Sequence, residues 1–219
     1  TDSSGNPVTN LGKNDFSVIE EGKPQQIDNV GNADVVPLEI ALLFDVSAST
    51  DAMFKFQQET AAKFLQDVLK PTDRATVFTI GASPVLVAAR DTSEKAQISV
   101  KAITPTKQFT AFYDSIASAA EYLAKNAPSG TRRVIVVLSD GEDTNSTRVA
   151  RAIQDGYRRA GDKINTLDNK ALYQLTVNSR NEASLKERVR IGKSLQDGDT
   201  VFYSINPAGS SYQLNQMSM

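Results

Sequence analysis

The sequence predicts an α/β fold: a doubly wound, mostly parallel sheet flanked by helices in the Rossmann-like manner, preceded by a small N-terminal β segment. Two observations predict it. Short continuous apolar runs, Ile40-Ala41-Leu42-Leu43-Phe44 and Val134-Ile135-Val136-Val137-Leu138, have the length and composition of strands buried on both faces of a parallel sheet. Between such runs lie segments whose apolar residues recur at helical spacing, and strands alternating with helices wind into a sheet covered on both sides.

Residues 1–36 read as β-structure and turns, and residues 37–219 as the main domain. Asp2-Ser3-Ser4-Gly5-Asn6-Pro7 and Glu21-Gly22-Lys23-Pro24 are turn clusters. Between them Asp15 to Glu20 partly alternates, and Gln25 to Val30 is expected to form a second strand. Phe16, Val18 and Ile27 give this segment something to bury, which predicts a small β-element packed beside the main domain. The main domain starts with a strand near 39–45, followed by a helix from Asp51 to Leu69 whose inward residues are Phe54, Ala61, Leu65 and Val68. A second strand spans about 74–81. Pro84 breaks it, and Val85 to Ala89 reads as an antiparallel return on the sheet edge. Thr92 or Ser93 caps a helix that runs through Ile103. Phe112 to Lys125 is helical, with Ile116, Ala119, Ala120 and Leu123 inward. A strand near 133–139, a helix from Thr147 to Ala160 and a strand near 200–206 complete the pattern. The connection at about 161–199 is enlarged. Leu172 to Val177 is expected to be an extra strand in it, and Ala183 to Leu195 a helix with Lys186, Arg188, Arg190 and Lys193 on a solvated face.

Composition narrows the chemistry. The 219 residues include no histidine and no cysteine, which removes a Ser-His-Asp triad, a His- or Cys-bound metal, a thiolate nucleophile and any disulfide. With 40% hydrophobic and 23% charged residues and a net charge of -2, the chain has the composition of a globular protein. That charge gives no reason to expect nucleic acid as a partner. No apolar run reaches bilayer length, so no membrane insertion is expected of this chain. Its start, Thr-Asp-Ser-Ser, does not read as a signal peptide.

Three motifs leave strands or precede helices: Asp45-Val46-Ser47-Ala48-Ser49, Thr110, and Asp140-Gly141-Glu142-Asp143. In open α/β sheets ligands bind beyond the carboxyl ends of the strands, so these motifs are expected to converge. Each alone has a structural reading. Ser49, Thr50 or Asp51 suits a helix cap, as does Thr110, and Asp-Gly is a common turn. Together, Asp45, Ser47, Ser49, Thr110 and Asp140 make an oxygen-rich set suited to a hard cation: Mg²⁺, or Mn²⁺ or Ca²⁺. Two carboxylates and three neutral hydroxyls leave such a cation electrophilic. Coordination positions held by water can then pass to a carboxylate from another protein.

Asp-x-Ser-x-Ser after a buried strand, a later Thr before a helix, and Ser-Asp-Gly after a third buried strand resemble the metal-ion-dependent adhesion site of von Willebrand factor type A (VWA) domains. The resemblance covers Leu38 to about Pro207. It is nearest to bacterial, acidobacterial-type domains, which also resemble this chain in Gly5-Asn6-Pro7-Val8, in Asp15-Phe16-Ser17-Val18-Ile19-Glu20-Glu21-Gly22-Lys23-Pro24-Gln25 and in Ser139-Asp140-Gly141-Glu142-Asp143-Thr144. It implies that Ser47, Ser49 and Thr110 bind metal directly, and Asp45 and Asp140 directly or through water. It implies a metal-dependent adhesion or assembly domain, secreted, periplasmic or on the cell surface; no catalysis is expected, because the chain lacks His, Cys and any paired carboxylate with a nucleophile beside it. Two departures stand out. Lys107-Gln108-Phe109 replaces the glycines usual before the threonine, so Phe109 is expected to stiffen or partly cover the site. The sequence also stops soon after the strand near 200–206, so a last strand and helix of the usual fold are not expected within it. Two other readings stay open: a Mg²⁺-dependent phosphatase of haloacid dehalogenase type, opposed by Ser47 at its proton-transfer carboxylate position, and a structural VWA domain without metal.

Overall fold

The computed structural model describes residues 1–28, 30–31, 35–47, 54–106 and 109–206, and the chain divides into two compact units, Thr1–Val36 and Pro37–Met219. In the first unit, strands β1 (Val18–Glu20) and β2 (Lys23–Gln25) pair antiparallel. Glu21 and Gly22 join them, both at positive φ, which matches the right-handed twist of a tight hairpin. Strands of three residues have no face broad enough to shelter a core. Phe16 is therefore 46% exposed and Val18 is exposed too, contrary to the burial expected of them, while Ile27 is half-buried.

The second unit is built on a five-stranded sheet. Its strands are β3 (Leu38–Asp45), β4 (Arg74–Ile80), β5 (Val85–Asp91), β6 (Arg132–Leu138) and β7 (Thr200–Ile205), in the order β5-β4-β3-β6-β7. β3 runs parallel to β4 and β6, β6 runs parallel to β7, and only β5 is antiparallel. β3 is buried along its whole length. Leu42 and Phe44 face one core layer, and Ala41 and Leu43 face the other. That two-sided burial is the reason its sequence is continuously apolar rather than alternating. Glu39, near its start, is held from β5 by the Arg90 guanidinium at 2.6 and 3.0 Å.

Helices α1 (Phe54–Val68) and α2 (Ser93–Ala102) cover the Phe44 face. The buried Gln58 amide donates to the carbonyls of Val100 and Ile103 at 2.8 and 2.9 Å, which fastens α1 to the end of α2. Val68 is 40% exposed rather than inward, because α1 ends there and Leu69 takes the buried place. Val68→Ala should accordingly change unfolding free energy by less than about 0.5 kcal/mol, as urea titration would show. The opposite face carries α3 (Phe112–Asn126), α4 (Thr147–Ala160) and α5 (Asn169–Asp197).

α5 corrects the reading of the enlarged connection. Leu172 to Val177 is not a strand but part of one 29-residue helix. Asp168 caps its start by accepting the Ala171 N–H at 2.7 Å. Leu172, Leu175, Ser179 and Ala183 form its partly or fully buried side at helical spacing. The short run Leu-Thr-Val favours a strand only when read in isolation. Arg188, expected on the solvated face, is half-buried. Gly156 lets α4 and α5 approach closely, since a Cβ there would overlap the Ser179 hydroxyl. Among the described residues no helix is long and apolar enough to cross a membrane.

Candidate metal centre

β3 ends on Asp45, and the register sets Asp45 beside Ile80 and Phe44 beside Leu138. The loops leaving β3, β4 and β6 therefore emerge at one edge of the sheet. β4 and β6 flank β3 on opposite sides, so the winding reverses there, the position at which open α/β sheets bind ligands.

Asp45 lies at the floor of this region, 0% exposed. One carboxylate oxygen accepts the Ser47 N–H at 2.9 Å, and the other accepts the Ser139 hydroxyl at 2.5 Å. Ser139 Oγ in turn accepts the Gly141 N–H at 3.0 Å. This relay ties the end of β3 to the Asp140-Gly141 turn beyond β6. Gly141 takes φ +80°, a conformation that favours glycine. Half-buried Asp140 accepts the Glu142 N–H at 3.0 Å. Burial pushes the Asp45 carboxyl above its ordinary pKa. The hydrogen bonds from Ser139 and Ser47 oppose that rise, and the negative charge of Asp140 adds to it.

Thr110, 5% exposed, is tied to the same region through its backbone. Its N–H donates to Thr144 Oγ1 at 2.9 Å, and its carbonyl accepts the N–H groups of Thr144 and Asn145 at 2.9 and 3.0 Å. Ala111 N–H donates to the Gly81 carbonyl at 2.7 Å, and the Val46 carbonyl accepts the Thr106 N–H at 2.9 Å. Thr110 is not the cap of α3. Ala111 occupies that position and offers no side-chain bond, so the Thr110 hydroxyl, which pairs with no group among the described residues, is left for other use. Phe109 is 67% exposed, so its ring is a surface feature next to Thr110 in sequence.

Asp45, Ser47, Thr110 and Asp140 thus belong to one hydrogen-bonded set of loops. Ser49, together with Thr50 and Asp51, lies outside the described residues. Among the described residues no group of three or more carboxylates converges. A cation here would meet two carboxylates and several hydroxyls, a donor set that fits a hard divalent ion. Hydrogen bonds from Ser139 and from the backbone and side chain of Ser47 orient the Asp45 carboxylate.

The motifs named Ser139 and Asp143 but gave neither a role. Asp143, buried, accepts the N–H groups of Tyr113 and Ser146 at 3.0 Å each, and also the Ser146 hydroxyl. It therefore caps the start of α3 from another loop. Asp114 of α3 reciprocates at the start of α4, accepting the Thr147 N–H and hydroxyl at 2.8 Å each. Burial raises the Asp143 carboxyl as well, against those same bonds. The one sequence signal for this role is an acid three residues before Ser146, ahead of a helical run.

A family model described as von Willebrand factor type A domain matches residues 40–142, the stretch that holds all five candidate ligands. The match covers less than half of the chain and falls within the Pro37–Met219 unit. Among solved structures, manganese-loaded TRAP protein from Plasmodium vivax is similar at 12% identity and a TM-score of 0.54, over 83% of this chain and 62% of that one. Proximal thread matrix protein 1 from the mussel byssus, with a zinc-occupied MIDAS motif, is similar at 14% identity and a TM-score of 0.52, over 78% and 36%. The conserved hypothetical protein BatB from Bacteroides thetaiotaomicron is similar at 19% identity and a TM-score of 0.45, over 55% and 62%. The first two likenesses concern the fold alone, and the chain spans 62% or less of each structure's length. No curated protein matches the sequence.

Proposed function

We propose that the Pro37–Met219 unit is a metal-dependent protein-binding domain for adhesion or assembly. Asp45, Ser47, Ser49, Thr110 and Asp140 hold one divalent cation, Mg²⁺ or else Mn²⁺ or Ca²⁺, and an Asp or Glu of another protein completes its shell. The observation that carries this reading is the buried Asp45 carboxylate, joined through Ser139 to the Asp140 turn, at the carboxyl end of the central strand. A buried carboxylate facing a second negative charge asks for a cation. The metals named for the mussel and Plasmodium structures support a divalent ion. A bound cation would supply Lewis acidity toward an incoming carboxylate, while the chain's own side chains hold and orient it. The domain has no catalytic role in this reading. Residues 1–36 form a separate accessory unit, export to the periplasm or cell surface follows from the family resemblance, and kinship to acidobacterial-type domains belongs to the same proposal.

Calorimetric titration of Mg²⁺ and Mn²⁺ into chelator-stripped protein tests it. Wild type should bind at millimolar concentration or below. Asp140→Ala should weaken binding more than Ser47→Ala or Thr110→Ala, because it alone of the three removes a full charge. Capture of acidic peptides from an array should vanish with chelator. Failure of wild type to bind either ion, or capture indifferent to chelator, would overturn the proposal. Steady phosphate-ester turnover lost in Asp45→Asn would favour the phosphatase reading instead.

A further inference from the structure

Thr110 is gripped on both of its peptide groups by a residue outside the five-residue set. Thr144 Oγ1 accepts the Thr110 N–H, and the N–H groups of Thr144 and Asn145 both point at the Thr110 carbonyl. Thr144 stands four residues beyond Asp140, on the same loop. That loop is anchored at three points: Asp143 to the start of α3 and to Ser146, the Asn145 amide to the Ala82 carbonyl at 2.8 Å, and Ser139 to Asp45. The loops carrying Asp140 and Thr110 are therefore joined by hydrogen bonds, with Thr144 at the joint between them.

We infer that Thr144 is a positioning residue: it sets where the Thr110 hydroxyl stands relative to Asp140, and so tunes the site without touching the ion. The inference rests on the metal-binding reading above. The physical argument is one of geometry. Mg²⁺ demands short, near-octahedral bonds, whereas Ca²⁺ accepts longer bonds and more varied numbers of them. A neutral hydroxyl adds little by charge, so its value lies in being held where the ion needs it. Groups that orient a ligand commonly change metal affinity by about 10–100-fold when removed. Thr144 is exposed, so its replacement disturbs no core packing.

The test compares Thr144→Val, which keeps the shape and removes the acceptor, with Thr144→Ser, which keeps the acceptor. Mg²⁺ and Ca²⁺ are each titrated into the chelator-stripped full chain by calorimetry, and folding is followed by circular dichroism. Thr144→Val should weaken Mg²⁺ by about tenfold and Ca²⁺ by less, with the metal-free protein keeping its circular dichroism spectrum and melting cooperatively. Thr144→Ser, which keeps the acceptor for the Thr110 N–H, should bind Mg²⁺ as wild type does. Equal Mg²⁺ affinity in Thr144→Val and wild type overturns the inference. So does a Thr144→Ser variant as weak as Thr144→Val, or an equal loss for both ions. A wild type that binds neither ion overturns the metal reading itself.

Discussion

Asp45→Asn should abolish Mg²⁺ binding and leave the metal-free domain at least as stable as wild type. The two effects share one cause. The Asp45 carboxylate is fully buried and faces Asp140, so its charge is unfavourable until a cation balances it. Asparagine removes the charge and keeps the shape. Its carbonyl can accept the Ser47 N–H, and its amide can donate to Ser139 Oγ. The pH dependence follows with its sign. Folding raises the Asp45 carboxyl above its ordinary value of 3.8, so the native state holds a proton more tightly than the unfolded chain does. Stability of the metal-free wild type should therefore fall as pH rises from about 4 through the raised folded-state pKa. Asp143 shifts in the same direction and adds to that fall. Asp45→Asn should flatten the profile, and protons should compete with Mg²⁺ in wild type at a higher pH than for an exposed aspartate. Thermal melts across pH with chelator present, paired with calorimetry, read both effects. A variant that melts well below wild type near neutral pH would show that the charge is balanced within the protein, without need of an ion.

The largest stability effect should come from Phe44→Ala. Phe44 is fully buried on the central strand and meets Phe54 of α1 edge-to-face, with ring centroids 5.3 Å apart. Removing a core phenylalanine costs about 3–5 kcal/mol, partly through the cavity left behind. In a domain of this size each kcal/mol lowers the melting temperature by about 2–4 °C. Because the ring fastens α1, which follows the Asp45 loop, to the sheet, metal affinity should fall in parallel. Urea denaturation would measure the loss. A change under about 1 kcal/mol would mean that this face repacks freely, against the close packing expected of a buried strand.

The sheet was legible because its central strands are buried on both faces, and that environment leaves an uninterrupted apolar run such as Ile40 to Phe44. The helix face of α3 was legible for the same reason: Ile116, Ala119, Ala120 and Leu123 are all buried. The misreadings occur where burial is partial. Val68 keeps helical spacing yet sits at the end of α1, where the chain leaves the sheet, and Leu172 to Val177 is too short to distinguish strand from helix. Phe16, just before β1, and Val18, on it, are apolar residues with too little partner surface to hide them.

The sequence by itself determined the strand–helix alternation and the chemical character of the candidate ligands, because both follow from local composition and spacing. It also determined which motifs stand at strand ends, since an apolar run stopping at Asp45 or before Asp140 marks where the chain leaves the sheet. Only the tertiary structure decided how those motifs are joined. Ser139 reaches back across 94 residues to Asp45, Asp143 caps a helix that starts 31 residues before it, and Thr144 grips Thr110 from the neighbouring loop. Hydrogen bonds between residues so far apart impose no spacing on the chain. A serine or threonine in such a role is indistinguishable, residue by residue, from one in an ordinary turn.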